Sequence, residues 1–189
     1  MFINIITPSV HPENITIISK SINIPRDNYR WIVVFDLDDM PRGLPDNCES
    51  YCAKNLNPIT GSGSRGDYQR NFATELIKDG YVYYNDDDTT IHPELWENVK
   101  DLDNDFISFD QLWNNGWFRL SGKEIGLGKT DTHNFMLTRE LIGETRWRLD
   151  IYESDGFFVE ECYKRAKNPI YIPKTLSVFN TLDKTRYVY

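Results

Sequence analysis

The sequence "DGYVYYNDDDTTIHPELW", residues 79–96, joins an apolar, tyrosine-rich segment directly to three consecutive aspartates. Valine and tyrosine favour extended structure, so "YVYYN" predicts a buried strand that ends at Asp86, Asp87 and Asp88. Neighbouring carboxylates repel one another. Such clusters persist where they are well solvated, cap an element or hold a cation. The position of this strand end within the sheet therefore decides how the aspartates are interpreted.

Strands and helices alternate through the first half of the chain. Residues 2–7 and 30–36 are short and β-branched and predict buried strands on either side of a helix that begins at Pro12. The polar stretch over residues 37–66 predicts a long loop, followed by a helix over residues 67–78. Three apolar residues at helical spacing are predicted to share one face of that helix: Tyr68, Phe72 and Leu76.

The second half of the chain predicts further strands over residues 105–110, 133–138 and 169–180. A short helix is expected from Pro93, and a longer one with Ser154 as its N-cap that runs to about Lys167. The alternation predicts a single α/β domain, with a mostly parallel central sheet and helices on both faces.

Polar residues follow three of the predicted parallel strands. They are Thr7-Pro8 after the first strand, Asp36 after the second, and the aspartates after "YVYYN". Ligands of open parallel sheets bind at the carboxyl ends of the strands. If these strands are neighbours, the three polar segments converge on one crevice.

The charge of the chain excludes some classes of partner. Its 21 basic and 29 acidic residues give a net charge of −8, which argues against nonspecific nucleic-acid binding and against attachment to an anionic membrane. The N-terminus lacks signal-peptide features, and no apolar run is long enough to predict a membrane span. Three cysteines without metal-site spacing predict free thiols. We therefore expect a cytoplasmic protein (host cytoplasm if its source is viral).

Three interpretations compete for the aspartates. They can form an acidic surface turn before the Pro93 helix. A calcium loop is a second possibility, but the spaced pattern and downstream glutamate of such loops are absent. The third is a site for Mg²⁺ or Mn²⁺, which bind one or two carboxylates and complete their coordination with water and substrate phosphates. The residues alone leave the surface turn and the metal site equally open.

Five segments carry a resemblance to a known family: "IITPS", "WIVVFD", "GSRGDYQRNFATELIKDGYVYYNDDDTTIHPEL", "HNFMLTREL" and "ESDGFFVEECYKRAKN". In order and spacing, over about residues 2–180, they resemble the inverting nucleotide-sugar glycosyltransferases of the glycosyltransferase A fold. The chain is similar to the large family 2 and to small single-domain glycosyltransferases of chlorella viruses. The resemblance implies a donor-binding half over residues 1–100, an acceptor and catalytic half over residues 101–180, and a C-terminal tail over residues 181–189.

By this resemblance, the donor nucleotide binds at the strand ends. Thr7 and Pro8 would line the nucleotide, and Asp36 would bond the uracil edge of a UDP-linked donor. Residues around the next helix would supply further donor contacts: Arg65 as the first choice for the base or diphosphate, Arg70 as the second, and Asn71 in the "RN" pair.

The Asp-x-Asp motif of the family corresponds to Asp86 and Asp88. The resemblance places Asp86 near the ribose and metal, and Asp88 as the direct ligand of Mn²⁺ or Mg²⁺. Asp87 would be the middle, less critical position on the donor side. Many relatives carry one more carboxylate directly ahead of the motif, where this chain has the neutral Asn85.

The acceptor hydroxyl needs a base, which the family supplies from an acidic motif shortly before a late helix. The matching stretch "YESDGFF" points to Asp155, with Glu153 as the second candidate. Without the resemblance, Asp155 reads as a first-turn carboxylate that complements the helix dipole.

Other residues have weaker assignments. His133 is either an additional metal ligand or phosphate contact, or a structural residue. Trp113 and Trp117 either stack on sugar rings of the acceptor or pack within the protein. "KEIGLGK", residues 123–129, predicts a mobile loop on the acceptor side and not a P-loop. The tail that begins at residue 183 either covers the bound donor or frays.

Together these features predict a metal-dependent inverting glycosyltransferase that moves a sugar from a nucleotide donor to a hydroxyl acceptor on a glycan. A sugar nucleotidyltransferase is an alternative, although the basic, glycine-rich loop expected after its first strand is missing. A non-catalytic carbohydrate- or nucleotide-binding module is the other. The sequence does not indicate which sugar, acceptor or linkage is used.

Overall fold

A computed structural model of the chain describes residues 1–54 and 66–182, and its strands form one mixed sheet. The strands of this described part are β1 (Ile3–Ser9), β2 (Tyr29–Phe35), β3 (Glu49–Cys52), β4 (Tyr81–Tyr84), β5 (Phe106–Trp113), β6 (Phe118–Leu120), β7 (Phe135–Thr138) and β8 (Pro169–Phe179). The α-helices are α1 (Pro12–Ser21), α2 (Asp67–Glu75), α3 (Leu95–Val99), α4 (Arg139–Ile142) and α5 (Ser154–Tyr163). A 3₁₀ turn, Arg26–Asn28, precedes β2.

The sheet order is β3-β2-β1-β4-β7-β5-β6, and β8 pairs with β5. Strands β3, β2, β1 and β4 run parallel to one another, and β8 runs parallel to β5. Strand β7 runs antiparallel to β4 and β5, and β6 runs antiparallel to β5. The predicted mostly parallel sheet is confirmed. The sequence did not predict β3 and β6, which are short and have no fully buried residue.

Two hydrophobic clusters cover the two faces of the sheet. On one face Ile15 and Ile18 of α1 and Leu95 of α3 pack against the strands. On the other face Ala73 of α2 and Phe158 of α5 do so. The prediction of helices on both faces is therefore confirmed. No helix within the described ranges is long and apolar enough to cross a membrane, and all three cysteines are free thiols, as predicted.

Two helix predictions were wrong in detail. In α2 the apolar residue Tyr68 is exposed, and the buried side chains include Asp67, Arg70 and Thr74. This helix therefore turns a polar face towards the protein interior. In α5 the helix begins at Ser154 itself, so this serine is not the N-cap, and the helix ends at Tyr163, short of the predicted end.

Candidate active site

Three strand ends meet at one edge of the sheet, as the sequence predicted. Strands β2, β1 and β4 are adjacent and parallel, so their carboxyl ends lie side by side. The backbone N–H of Asp36, just after β2, donates to Ser9 O at 3.0 Å. The N–H of Asn85, just after β4, donates to Ile6 O at 2.9 Å. Asp36 and the three aspartates therefore flank the end of β1.

Asn85 shapes the turn that holds the aspartates. Its side chain is fully buried, and Nδ2 donates to Asp86 O at 3.1 Å and to Thr89 O at 2.8 Å. An ionised carboxylate has no proton to donate and could not make these bonds. The neutral residue at this position is therefore explained by the internal hydrogen bonding of this segment, residues 85–89, which we call the aspartate turn.

Asp86 is bonded through both of its carboxylate oxygens. Arg70 donates to Oδ1, Thr132 Oγ1 donates to Oδ2 at 3.1 Å, and His133 Nε2 lies 3.3 Å from Oδ2. Burial disfavours the charged form, but the charge of Arg70 outweighs it and holds the pKa of Asp86 well below its ordinary value. Asp86 is therefore a fixed anion whose two oxygens already have partners.

Arg70 lies between two carboxylates. Its Nη1 donates to Asp67 Oδ1 at 2.8 Å, its Nη2 pairs with Asp86, and its guanidinium lies 4.8 Å from the ring centroid of Trp147. Gly66 makes this arrangement possible: its φ is +86°, and a Cβ there would come within 2.7 Å of Pro8 Cβ. The helix can therefore begin against the end of β1 and direct its charged face into the site.

A segment just before β7 supports the aspartate turn from the other side. The backbone N–H of Asp86 is directed at His133 Nε2, 3.0 Å away. His133 Nδ1 faces Asp131 Oδ2 at 3.5 Å, and Arg119 Nη1 donates to the same Oδ2 at 2.8 Å. Arg119 in turn stacks on Phe179, 3.9 Å from the ring centroid. A chain of polar contacts thus runs from β6 to the aspartate turn.

Asp87 accepts hydrogen bonds from the residues that join β1 to α1. Its Oδ2 accepts from Ser9 Oγ at 2.9 Å, Val10 N at 2.8 Å and His11 N at 2.9 Å. The middle position of the motif, read from the sequence as the less critical one, therefore has a structural role. Its carboxylate satisfies donors at the start of a helix, where a negative charge is favourable.

Replacing Asp87 with alanine should lower the free energy of unfolding by about 2–3 kcal/mol, because donors of the β1–α1 junction lose a charged acceptor. Urea denaturation measures this effect. The exposed Asp101 is the control, since its replacement with alanine should leave the urea midpoint nearly unchanged. Equal midpoints for the two variants would show that the Asp87 contacts contribute nothing to stability.

Asp88 is the carboxylate of the turn best suited to a cation. It is half-buried, and Thr89 Oγ1 donates to its Oδ1 at 3.0 Å. Burial, and next the charge of Asp86, raise the pKa of Asp88, so a nearby positive charge would stabilise its ionised form. Within residues 1–54 and 66–182, no three His, Cys, Asp or Glu side chains are arranged to hold a metal ion. Asp88 could therefore bind a hard cation only together with phosphate and water, which would supply the other ligands.

The surroundings of Asp155 increase the basicity of its carboxylate. It is half-buried in the first turn of α5, and Gly156 N donates to its Oδ1 at 2.7 Å. Burial, and next the charge of Asp131, raise the pKa of Asp155 to about 6. Glu153, the second candidate, is exposed at the N-cap. The surroundings thus favour Asp155 over Glu153 for proton transfer.

Several residues predicted to bind the donor are engaged within the protein. Thr7 is buried, and its Oγ1 accepts from Trp31 Nε1 at 3.0 Å. The Asn71 amide pairs with the backbone of Trp147, donating to its O at 2.9 Å and accepting from its N at 2.8 Å. Arg65 lies outside the described residues. The donor roles of these residues, and those of Pro8 and Asp36 at the strand ends, stay predictions.

The two tryptophans assigned to the acceptor side differ in exposure. Trp113 packs edge-to-face on Phe179, with ring centroids 5.3 Å apart. Trp117 is 75% exposed in the turn between β5 and β6. Trp113 therefore packs within the protein, where its ring also lies against Arg119. The ring of Trp117 is accessible to a ligand. The tail residues 183–189, considered as a cover for the donor, are not among those described.

Sequence reasoning missed four members of this constellation: Asp67, Arg119, Asp131 and Thr132. One signal for the last two was present, because "KTDTHN" is a dense polar run directly before an apolar strand. The residues that Asp131 and Thr132 contact, Arg119 and Asp86, lie in other segments of the chain. The polar run by itself therefore does not indicate its partners.

Comparisons with known proteins agree on the fold. No family model and no curated protein sequence matches the chain. The crystal structure of S. aureus TarS 1-349 matches with a TM-score of 0.74 and 17% identity, over 94% of this chain and 60% of that chain. Its complex with UDP-GlcNAc matches with a TM-score of 0.72 and 17% identity, over 94% and 58%.

A third match is the mannosyltransferase PcManGT from Pyrobaculum calidifontis in complex with GDP-Man and Mn²⁺. Its TM-score is 0.63 at 12% identity, over 97% of this chain and 58% of that chain. At these identities the likeness shows a shared fold. The chain spans less than two thirds of the length of each matched structure.

Proposed function

We propose that the chain is a metal-dependent inverting glycosyltransferase that moves a sugar from a nucleotide donor, preferably UDP-linked, to a hydroxyl acceptor. The observation that carries the proposal is the placement of the aspartate turn and Asp155 around one buried charge network at the carboxyl edge of the sheet. The charges of Asp131, Arg70 and Asp67 act on Asp155, while Arg70 also pairs directly with Asp86. Support comes from the shared fold, since the matched structures include complexes with UDP-GlcNAc and with GDP-Man and Mn²⁺.

The donor end of the site is built on the aspartate turn. Asp88 would bind Mn²⁺ or Mg²⁺, which would stabilise the negative charge that develops on the leaving diphosphate. Asp86 keeps the turn in position through Arg70 and His133. Asp36 would contact the base, beside the end of β1.

The acceptor end of the site is built on α5. The acceptor hydroxyl has a high pKa and transfers its proton to the Asp155 carboxylate as its oxygen bonds to the anomeric carbon. The bond from that carbon to the diphosphate oxygen breaks on the opposite face, so the configuration inverts. A carboxyl group with a pKa of about 6 is ionised near neutral pH and is a stronger base than an ordinary aspartate.

A screen of nucleotide sugars tests the proposal. The chain is incubated with UDP-, GDP- and dTDP-linked sugars, with Mn²⁺ or with a chelator, and released nucleoside diphosphate is measured with and without a panel of 4-nitrophenyl glycosides. We expect Mn²⁺-dependent release from a UDP-sugar and faster release with an acceptor glycoside. Release of pyrophosphate from UTP and a sugar phosphate would instead indicate a nucleotidyltransferase, and binding without release would indicate a binding module.

The pH dependence of transfer should report Asp155. Because the base must be ionised, kcat/KM should rise with pH through an apparent pKa of about 6. Replacing Asp131 with asparagine removes a negative charge that raises this pKa, so the rise should move to lower pH. Initial rates between pH 4.5 and 8, in steps of about half a unit, measure the shift. A rise that stays at the same pH in the Asp131 variant would contradict the assignment of the base.

A further inference from the structure

The loop between β6 and β7 is anchored at both ends. At its start, a Cβ on Gly122 would lie 2.4 Å from Phe109 N, so only glycine permits this approach. Ser108 Oγ donates to Gly122 O at 2.6 Å, and Gly122 N donates to Asp110 Oδ1 at 3.0 Å. At its end, Asp131 pairs with Arg119 at 2.8 Å. We call residues 122–131 the tip loop.

The middle of the tip loop rests on the helix that carries the proposed base. A Cβ on Gly156 would lie 2.7 Å from Leu127 Cα and 3.2 Å from Leu127 Cδ1. One turn further along α5, a Cβ on Gly126 would lie 3.6 Å from Glu160 Oε2. The backbone of Leu127 therefore contacts the residue next to Asp155, and this contact requires a glycine in the helix.

Leu127 presents apolar surface at this position. Its side chain is 48% exposed, although the glycine contact fixes its backbone on α5. A single exposed leucine is ordinary on a protein surface. Leu127 differs because its position beside Asp155 requires Gly156 in α5, and glycine within a helix lowers helix stability.

We infer that the tip loop forms the acceptor wall of the site and that Leu127 contacts the acceptor. The inference rests on the proposed function and extends it by naming a residue that contacts the acceptor. An aliphatic side chain beside the base matches the C–H face of a pyranose ring and excludes water from the hydroxyl that Asp155 deprotonates. A pyranoside acceptor would place one ring face on Leu127 and one hydroxyl at Asp155.

Two variants and one control separate this role from a general effect on folding. Leu127→Ala removes the side chain and keeps the loop seated. Gly156→Ala places a methyl group in the contact and displaces Leu127. Ile17→Ala is the matched control, because Ile17 of α1 is 47% exposed and belongs to another part of the fold.

Initial rates are measured with the donor selected by the nucleotide-sugar screen and the best 4-nitrophenyl pyranoside, in Mn²⁺. We expect Leu127→Ala and Gly156→Ala to raise the KM for the pyranoside about tenfold or more, with the KM for the donor unchanged. Both variants should also lose a larger fraction of donor to water. Ile17→Ala should behave as the unmodified chain does.

The outcomes distinguish the inference from the proposed function. If the unmodified chain transfers sugar but the acceptor KM of Leu127→Ala equals that of Ile17→Ala, the inference is wrong and the function stands. A parallel rise in donor KM would also overturn it, because the loop would then act on the donor end. If the unmodified chain releases no nucleoside diphosphate from any donor, the proposed function fails first. Should Gly156→Ala not fold, Leu127→Ala decides alone.

Discussion

Replacing Asp155 with asparagine should lower kcat for sugar transfer by about 10²–10⁴-fold while leaving the affinity for UDP unchanged. The asparagine side chain has nearly the same shape as that of Asp155, but it cannot accept the proton of the acceptor hydroxyl. The side chain lies at the start of α5, and the aspartate turn lies after β4, so donor binding uses different groups. Single-turnover transfer and calorimetric titration with UDP in Mn²⁺ measure the two quantities separately.

Glu153→Gln is the matched control for this variant. Glu153 lies two positions before Asp155 and is exposed, so its neutral replacement should retain most of the transfer rate. The assignment of the base would be wrong if Asp155→Asn turned over normally, or if Glu153→Gln lost as much activity as Asp155→Asn.

Replacing Arg70 with methionine should lower the free energy of unfolding by about 3–5 kcal/mol. Arg70 is 4% exposed and is bonded to both Asp67 and Asp86, so its removal leaves two carboxylates without their cation. Burial already raises the pKa of Asp67 to about 6 with Arg70 present, which shows how strongly this position disfavours an unpaired charge. Urea denaturation at pH 7.5 measures the loss.

Arg148→Met provides the comparison for a surface ion pair. Arg148 donates to Asp150 at 2.9 Å, but both side chains are about half exposed, so solvent screens their interaction. This variant should unfold at nearly the same urea concentration as the unmodified chain. An Arg70 variant as stable as the Arg148 variant would show that the buried network does not hold the site together.

The strand ends of the candidate site could be predicted because their signals are local. Short apolar segments show where β1, β2 and β4 run, and polar residues show where they end. The general rule that parallel strands present their carboxyl ends at one edge then brings Asp36 and the aspartate turn together. The predicted crevice followed from these features without any long-range information.

The buried face of α2 could not be predicted in the same way. Apolar spacing selected Tyr68, Phe72 and Leu76, but the helix buries Asp67 and Arg70 because they pair with each other and with Asp86. Hydrophobic periodicity contains no information about buried ion pairs. The same limit applies to Asp131, which lies in a loop while its partner Arg119 lies on β6, and to Asp87, whose three donors lie more than 70 positions earlier.

The central claim is that the aspartate turn binds a divalent cation together with a nucleoside diphosphate. Calorimetric titration of the chain with UDP, in Mn²⁺ and in a chelator, tests it most directly, with Asp88→Asn as the second protein. We predict clear binding in Mn²⁺, much weaker binding in the chelator, and loss of the Mn²⁺-dependent part in Asp88→Asn. Equal affinity with and without Mn²⁺, or an Asp88 variant that keeps the full metal effect, would contradict the claim.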